Sequence, residues 1–376
     1  MIVARVIGGM GDLVLAARLL RQITAIADVQ LVVEYGSPEL AKHIFSACSG
    51  FLAADSREFD TADERCLARL SIGNLVTTDF VRAEAPAGLH AMIREATSFI
   101  EPYRDLVDAT PFLDGILGDA LAAMGLRRHD ACFVQCGLTY DGEDFLRPTP
   151  SAVLDFLSAK GLTRHQYITI GDGWDADFGF LNGRRPTKAL PSGFLEKLVR
   201  ELKRLRPGIA IVQVGGGGSG DDIPGTDQNL RGAATLSDSA LLLAGALLHV
   251  DTEGGLVHLA RAVGTRAAVF FGPTNPAYFA YDGNLALLPA GECIDCYWST
   301  NTWMAICPLR KDSICMDSHS HPVAAERISK SIAEIQDCAP GTSQAFIRVE
   351  QRRRSAARQA ESKILESTTV RPPLIR

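Results

Sequence analysis

The sequence predicts an α/β fold of two facing Rossmann-like domains with parallel sheets, the second of which carries a cysteine-rich insert. Three observations support this. At 376 residues the chain is too long for one ordinary hydrophobic core. Short apolar runs alternate with amphipathic stretches in two separate series, which is the pattern of β-α-β units. A segment rich in cysteine, tryptophan and proline follows the second series.

The first series begins at the N-terminus. The apolar run 2–7 predicts a strand, a glycine pair closes it, and Asp12 precedes an amphipathic stretch over 13–26 that predicts a helix. A second strand is predicted over 29–33. For residues 41–130 we predict mainly helices, including 88–99 and 111–124. Residues 1–165 are therefore predicted to form the N-terminal Rossmann-like domain.

The second series is more regular. Strands are predicted over 167–170, 210–214, 248–250 and 267–271, and helices over 192–205, 237–243 and 255–263. Two such halves facing one another form the arrangement called GT-B, in which ligands bind in the cleft at the carboxyl ends of the strands. We therefore predict a C-terminal domain over 166–340 with the insert at 290–320. A helix and disordered tail are predicted over 341–376.

Composition excludes some classes of partner. The formal net charge of −6 provides no general basic field, so no nucleic-acid partner is expected. The N-terminus lacks the features of a secretory signal, and the most apolar run, 240–250, is far shorter than the roughly 20 residues that span a bilayer. A cytoplasmic protein without a transmembrane segment is the expectation.

The run from Glu253 to His258 contains the most specific local pattern. Gly254 and Gly255 separate a strand from a helix, so a ligand can approach the backbone at the positive end of the helix dipole. A diphosphate suits such a place. Glu253 offers acceptors to sugar or ribose hydroxyls, and the ring of His258 is one turn into the helix. The alternative is an ordinary strand-to-helix turn with a histidine packed in the helix.

Two other segments carry candidate chemistry. Asp12, after Gly11, is a carboxylate on a glycine turn, where it can accept a proton or cap the helix. The same turn resembles a dinucleotide fingerprint, although Val14 occupies its third glycine position. Thr187 and Lys188 precede a predicted helix, a position in which a lysine standing alone is an ordinary surface residue.

Four of the nine cysteines lie in the insert: Cys293, Cys296, Cys307 and Cys315. Four thiolates in a short, loop-rich stretch, two of them spaced C-x-x-C, are what tetrahedral metal coordination requires. Packed or redox-active thiols are the alternative. Four protein ligands leave no open position, so the predicted ion is a structural iron or zinc, and no catalytic metal is expected.

Together these segments resemble glycosyltransferase family 9, the bacterial heptosyltransferases. The usual family motif is Asp-(Ser/Thr)-Gly-x-x-His-Leu-Ala, followed by Phe-Gly-Pro-Thr. The matching residues here are Glu253, Gly254, Gly255, His258, Leu259, Ala260 and Phe271 to Thr274. Glu253 replaces the usual aspartate. Gly11, Asp12 and Leu13 match the opening turn, and Lys188 matches a lysine that precedes a proline and a helix. The cysteine set is similar to that of the iron-containing autotransporter heptosyltransferases.

This resemblance implies an inverting transfer of a sugar, heptose from ADP-heptose, to a hydroxyl of a lipopolysaccharide core, a protein or another glycan. It implies Asp12 as the base and Lys188, Thr187, Gly11 and the Glu253 to His258 run as donor contacts. A homo-oligomer is implied by analogy with the iron-containing group. The alternatives are a non-catalytic sugar-nucleotide-binding or assembly protein with a degenerate transferase fold and an NAD-dependent oxidoreductase.

Overall fold

A computed structural model describes residues 1–46, 51–53, 66–140, 142, 144–174, 185–216, 220–232, 234–311 and 313–337. The chain divides into two compact units, Met1–Ser329 and Lys330–Arg376. The first unit contains both sheets, and the described part of the second, 330–337, is helical. The tail predicted over 341–376 lies outside the described residues. The described ranges contain no helix long and apolar enough to cross a membrane.

The first sheet has the strand order β3-β2-β1-β4-β5, with every pair parallel except β4 and β5. Its strands are β1 (Ile2–Val6), β2 (Leu31–Glu34), β3 (Phe51–Ala53), β4 (Ala68–Ile72) and β5 (Val76–Val81). The helices of this half are α1 (Met10–Ala27), α2 (Pro38–Phe45), α3 (Ala87–Ile100), α4 (Arg104–Asp108), α5 (Asp114–Ala123) and α6 (Ala131–Gln135).

The prediction of mainly helices over 41–130 is correct for α3 and α5 but wrong for β3, β4 and β5. Strand β3 has only three residues, and β4 and β5 are short and partly buried. In β4 only alternate residues are buried, and in β5 only Val76 is buried. An antiparallel pair of this kind has a period of two over too few residues to be distinguished from a loop. The turn of Gly73 and Asn74 between them was the available signal.

The second sheet has the order β11-β10-β9-β6-β7-β8, and all its pairs are parallel. Its strands are β6 (Tyr167–Ile170), β7 (Ala210–Gln213), β8 (Gln228–Asn229), β9 (His249–Thr252), β10 (Ala267–Phe270) and β11 (Leu285–Leu287). Its helices are α7 (Pro150–Ala159), α8 (Ser192–Leu205), α9 (Leu236–Gly245), α10 (Gly255–Val263), α11 (Pro276–Phe279), α12 (Ile314–Asp317) and α13 (His321–Asp337). The predicted α/β class with parallel sheets is confirmed.

Helix α7 packs on the second sheet, although it precedes the predicted boundary at residue 165. Its Val153 and Leu157 belong to one apolar cluster with Tyr167 of β6, Val212 of β7 and Leu242 of α9. The division of the chain at residues 165 and 340 stays a prediction.

Each sheet has a point at which the direction of strand addition reverses. The chain runs outward from β1 to β3 and returns to β4 beside β1; it runs from β6 to β8 and returns to β9 beside β6. In open α/β sheets the crevice at such a point, outside the carboxyl ends of the strands, is where ligands bind. The residues that follow β1, β6 and β9 therefore form the candidate site.

Candidate functional site

The first turns of α1 and α10 are in direct contact. A Cβ atom built on Gly11 would collide with the ring of His258, 3.0 Å from Nε2. One built on Gly255 would lie 2.6 Å from Cε of Met10 and 3.5 Å from the backbone nitrogen of Gly11. The absence of side chains at these two glycines lets the helices approach closely. The structure thus brings together the two glycine turns that were predicted as candidate sites. Gly11 and Gly255 are 244 residues apart in the chain.

Asp12 is the third residue of α1, and its two carboxylate oxygens have different partners. Oδ2 accepts the backbone N–H of Gly9 at 2.9 Å, which satisfies a donor at the helix start. Oδ1 lies 2.5 Å from Nη2 of Arg128. Gly8 has a φ of +125°, and a Cβ there would collide with the Asp12 carboxylate, so this turn requires glycine. The carboxylate therefore supports the helix and is also partly accessible to solvent, with 32% of its side chain exposed.

Arg128 is the counter-ion of Asp12, and it is almost completely buried, with 6% of its side chain exposed. Burial by itself lowers the pKa of the guanidinium, but Asp12, Tyr278, Cys132 and Tyr297 outweigh it, so the net shift is upward. Arg128 is consequently a permanent positive charge behind the Asp12 carboxylate. Arg128 was not among the residues predicted from the sequence, because no local pattern distinguishes the segment before α6.

Glu253 lies between two basic side chains. Nζ of Lys188 donates to its Oε2 at 2.7 Å, and Nε2 of His258 is 3.5 Å from its Oε1. Burial raises the pKa of the Glu253 carboxyl, but Lys188 and His258 outweigh burial and hold it at about 2. Glu253 is therefore ionised at neutral pH.

The ring of His258 is oriented from its other side by Tyr281. Nδ1 of His258 is 2.6 Å from the Tyr281 hydroxyl, and both side chains are buried. Burial raises the pKa of the Tyr281 phenol, which keeps its proton and can donate it to Nδ1. That arrangement leaves the Nε2–H of His258 facing Glu253. The side chains of Lys188, Glu253, His258 and Tyr281 thus contact one another in that order and form one polar chain.

The start of α10 is open above this chain. A Cβ on Gly254 would meet only the Thr252 carbonyl oxygen, at 3.9 Å. Because the first N–H groups of a helix point out of its N-terminus and carry the positive end of its dipole, an anion can bind there. The geometry suits the diphosphate predicted from the sequence.

The side chain of Thr187 lies against the cysteine-rich insert and not at the start of α1 or α10. It is buried, its N–H donates to the carbonyl of Met304 at 2.9 Å, and its hydroxyl donates to the carbonyl of Trp303 at 2.8 Å. Both partners belong to the cysteine-rich insert. Its role as a donor contact stays a prediction, whereas its neighbour Lys188 has its Nζ near Glu253 and 5.9 Å from the centroid of the Trp303 ring.

The four cysteines of the insert influence one another electrostatically. Burial raises the pKa of the Cys296 thiol to about 12, with further contributions from Cys315, Cys307 and Cys293. Nevertheless, among the described residues no three or more His, Cys, Asp or Glu side chains are placed together so that they could hold a metal ion. As they lie in this structure, the four sulfurs do not fit the tetrahedral site that their spacing predicts.

Two aspartates that were not predicted as site residues from the sequence lie at the switch point of the second sheet. Asp172 follows β6, and Asp251 is in β9. Burial and, less strongly, the charge of Asp251 together raise the pKa of Asp172 to about 6, against the opposing effects of the Trp174 N–H and Arg231. Oδ2 of Asp172 is buried, has no hydrogen-bond partner among the residues that the structure describes, and lies 3.6 Å from Nη1 of Arg231. The only sequence signal was the position of each aspartate at a strand end.

This arrangement of two sheets meeting at their switch points defines the GT-B class of fold. Comparison with solved structures gives the same result. Over 89% of its length the chain is similar to E. coli ADP-heptose lipopolysaccharide heptosyltransferase II, with 14% identity, a TM-score of 0.51 and 99% of that chain covered. It is also similar to a family 9 glycosyltransferase from Veillonella parvula, with 13% identity, a TM-score of 0.52 and coverage of 89% and 97% of the two chains.

A third similar structure is the dodecameric iron-containing heptosyltransferase TibC of E. coli, solved in complex with ADP-D-β-D-heptose. Its identity is 12% and its TM-score 0.55, with 89% of this chain and 76% of TibC covered. No family model matches the sequence, and no curated protein matches it. At identities this low the shared feature is the fold. The fold is therefore that of the family 9 heptosyltransferases, as the motifs predicted.

Proposed function

We propose that this chain is an inverting glycosyltransferase that moves a sugar, heptose from ADP-heptose, to a hydroxyl of a lipopolysaccharide core, a protein or another glycan. The observation that carries the proposal is the contact between the first turns of α1 and α10. Through this contact the turn that carries Asp12 lies against the polar chain of Lys188, Glu253 and His258, which supports the proposal. The fold shared with the heptosyltransferases supports it.

In the proposed reaction the acceptor oxygen attacks the anomeric carbon directly. Its proton passes to the Asp12 carboxylate, and the bond from that carbon to the diphosphate oxygen breaks with its electron pair on the leaving group. Arg128 holds Asp12 in place from behind. The negative charge that grows on the leaving diphosphate is offset by Lys188 and by the start of α10.

Lys188 has to exchange partners during this reaction. In the structure its ammonium is paired with Glu253 at 2.7 Å, and 17% of its side chain is exposed. An arriving diphosphate competes for the same ammonium, while Glu253 retains His258 at 3.5 Å as a partner. Glu253 then offers acceptors to hydroxyls of the donor, the role that the sequence suggested.

The remaining predictions belong to the same proposal. We place donor binding in residues 166–340, acceptor binding in residues 1–165, and the enzyme in the cytoplasm as a homo-oligomer, since TibC is dodecameric. Light scattering of the purified protein tests the oligomer.

The iron or zinc predicted at Cys293, Cys296, Cys307 and Cys315 has no part in the reaction. Elemental analysis tests it: about one metal per chain supports it, and none contradicts it.

The proposal is tested first by binding. Nucleotide sugars are screened for thermal stabilisation, since a ligand at 100 times its dissociation constant adds about 2.7 kcal/mol to the stability of the native state. ADP-heptose is expected to raise Tm. Stabilisation by a nicotinamide dinucleotide alone would favour the oxidoreductase alternative, and binding of the sugar nucleotide without turnover would favour the non-catalytic one.

Turnover then tests the roles of the residues. Asp12→Asn is expected to lower kcat by about 10²–10⁴-fold, the range for loss of a general base. Lys188→Ala is expected to lower kcat/KM because the leaving charge loses its counter-ion. Glu34→Gln and Lys203→Ala change exposed ion pairs elsewhere and serve as matched controls. Unchanged turnover of folded Asp12→Asn would exclude the mechanism.

A further inference from the structure

The cysteine-rich insert lies against the segment that carries Lys188. We propose that this insert positions the Lys188 ammonium for the donor diphosphate, with Thr187 and Trp303 as positioning residues; this inference rests on the proposed function. Two tethers join the segment to the insert. Nη2 of Arg185 donates to Oδ1 of Asp317 at 2.6 Å, and Thr187 donates twice to the stretch at Trp303 and Met304.

The bonds of Thr187 fix the backbone immediately before Lys188. Its N–H donates to the Met304 carbonyl at 2.9 Å and its hydroxyl to the Trp303 carbonyl at 2.8 Å. Thr187 is only 2% exposed, so water competes little for these bonds. Because the next residue is Lys188, the direction in which its side chain leaves the backbone is set by the insert.

The ring of Trp303 supports the other end of the same side chain. Nζ of Lys188 is 5.9 Å from the ring centroid, within the range of a cation–π interaction. The ring itself is buried and packs edge-on against Tyr297, with centroids 5.1 Å apart. A buried, packed ring cannot follow the ammonium if it moves, so it acts as a fixed surface for the charge.

Trp303 and Glu253 hold the ammonium in different ways. Glu253 carries a negative charge and competes with the diphosphate for Lys188, so its contact must weaken when the donor binds. An indole is neutral and does not compete with an anion for hydrogen bonds. Trp303 can therefore retain the ammonium near its position throughout the exchange of partners, which is the specific contribution that we assign to the insert.

A purely structural role of the insert makes a different prediction. If Thr187 and Trp303 only stabilised the domain, their loss would weaken donor binding equally whether or not Lys188 is present. If they act through Lys188, their effects should disappear once Lys188 is replaced. A double-mutant cycle separates the two cases.

The cycle uses Thr187→Val, which removes the hydroxyl at nearly constant volume, and Trp303→Leu, each in the wild-type and the Lys188→Met background. The dissociation constant of ADP is measured by calorimetry and the donor KM and kcat by turnover. In the wild-type background we expect each variant to weaken ADP binding roughly tenfold, and in Lys188→Met less than about twofold. Equal losses in both backgrounds would overturn the proposal.

Conservative variants and a neighbour provide the controls. Thr187→Ser and Trp303→Phe keep the hydroxyl and an aromatic face, and should restore most of the affinity lost in Thr187→Val and Trp303→Leu. Trp298→Leu alters the same aromatic cluster, since its ring centroid is 6.2 Å from that of Trp303, and should leave ADP binding unchanged. If Trp303→Leu fails to fold, the cycle with Thr187→Val decides the question.

A measurement without nucleotide distinguishes this inference from the proposed function. Acylation of Lys188 by an amine-reactive ester is followed by mass spectrometry, with the exposed Lys197 as the standard in the same sample. Lys188 should react slowly in the wild type and severalfold faster in Thr187→Val. Equal rates would contradict the positioning role. If the rate rises although the wild type neither binds ADP nor transfers sugar, the positioning stands and the proposed function falls.

Discussion

The guanidinium of Arg128 lies 2.5 Å from the carboxylate of Asp12, 116 residues away in the chain. The two side chains differ greatly in exposure, 6% for Arg128 and 32% for Asp12. The pair joins the segment before α6 to the first turn of α1, and so fixes the proposed base relative to the rest of the N-terminal half. Because the two side chains differ in exposure, their removal should change the stability of the protein by different amounts.

Removing either partner should destabilise the protein by different amounts. Asp12→Asn leaves the buried guanidinium without its counter-ion, for which we expect a loss of about 3 kcal/mol in the free energy of unfolding. Arg128→Met leaves a carboxylate that water can reach, and should cost about 1 kcal/mol. Urea unfolding measures both. Arg5→Met, in the exposed pair with Glu34, is the control, and a larger loss for Arg128→Met than for Asp12→Asn would refute this account.

The ion pair of Glu253 predicts a stability that depends on acidity. The carboxyl has a pKa of about 2 in the folded protein against an ordinary 4.5, so its contribution is complete above about pH 5 and is lost as the pH falls towards 2. Glu253→Gln should therefore be less stable than the wild type by about 3 kcal/mol at neutral pH. The difference should shrink steadily below about pH 4.5.

Lys188→Met provides the matched background for this measurement. Without the ammonium, burial of the carboxyl is opposed only by His258 and weaker neighbours, so Glu253→Gln should have a much smaller effect there, with little dependence on pH. Chemical unfolding at a series of pH values gives the comparison. If the free energies of unfolding of the wild type and Glu253→Gln differ by a large amount that stays constant from pH 7 to pH 3, the glutamate is not held ionised by Lys188.

For Asp172 we expect the opposite dependence of stability on pH. Burial and Asp251 raise its pKa from 3.8 to about 6, so the ionised carboxylate destabilises the fold above about pH 6, and this penalty disappears as the pH falls to about 4. Asp172→Asn should stabilise the protein by up to about 3 kcal/mol at pH 8 and by little at pH 4. Asp155→Asn, on an exposed position of α7, should be neutral throughout. A loss of stability at pH 8 would contradict the prediction.

The contact between α1 and α10 can be tested with two glycines of one turn. A Cβ on Gly11 would collide with the His258 ring, whereas one on Gly9 would meet nothing within 4 Å. Gly11→Ala should separate the two helix starts, destabilise the fold by about 1–3 kcal/mol and weaken donor binding. Gly9→Ala should do neither beyond a small capping effect. Thermal unfolding and ADP calorimetry on both variants decide it; equal behaviour would show that the close approach is unimportant.

The sequence alone determined the α/β class, the second parallel sheet and the candidate residues at its edge. Strands such as β6 and β10 are buried along their whole length and therefore appear as short, largely apolar runs. Glycine turns before amphipathic helices are equally local. The strands β4 and β5 were missed because one short, half-buried hairpin carries too few apolar residues to be recognised.

Only the tertiary structure decided which residues meet. Nothing local marks Arg128 as the partner of Asp12, Tyr281 as the partner of His258, or Trp303 as the neighbour of Lys188, since each contact is made by side chains distant in sequence. The sequence fixes a strand or a turn through spacing within a few residues. The charge, orientation and burial of a site depend instead on long-range packing, here the contact of Gly11 and Gly255 where the two sheets meet.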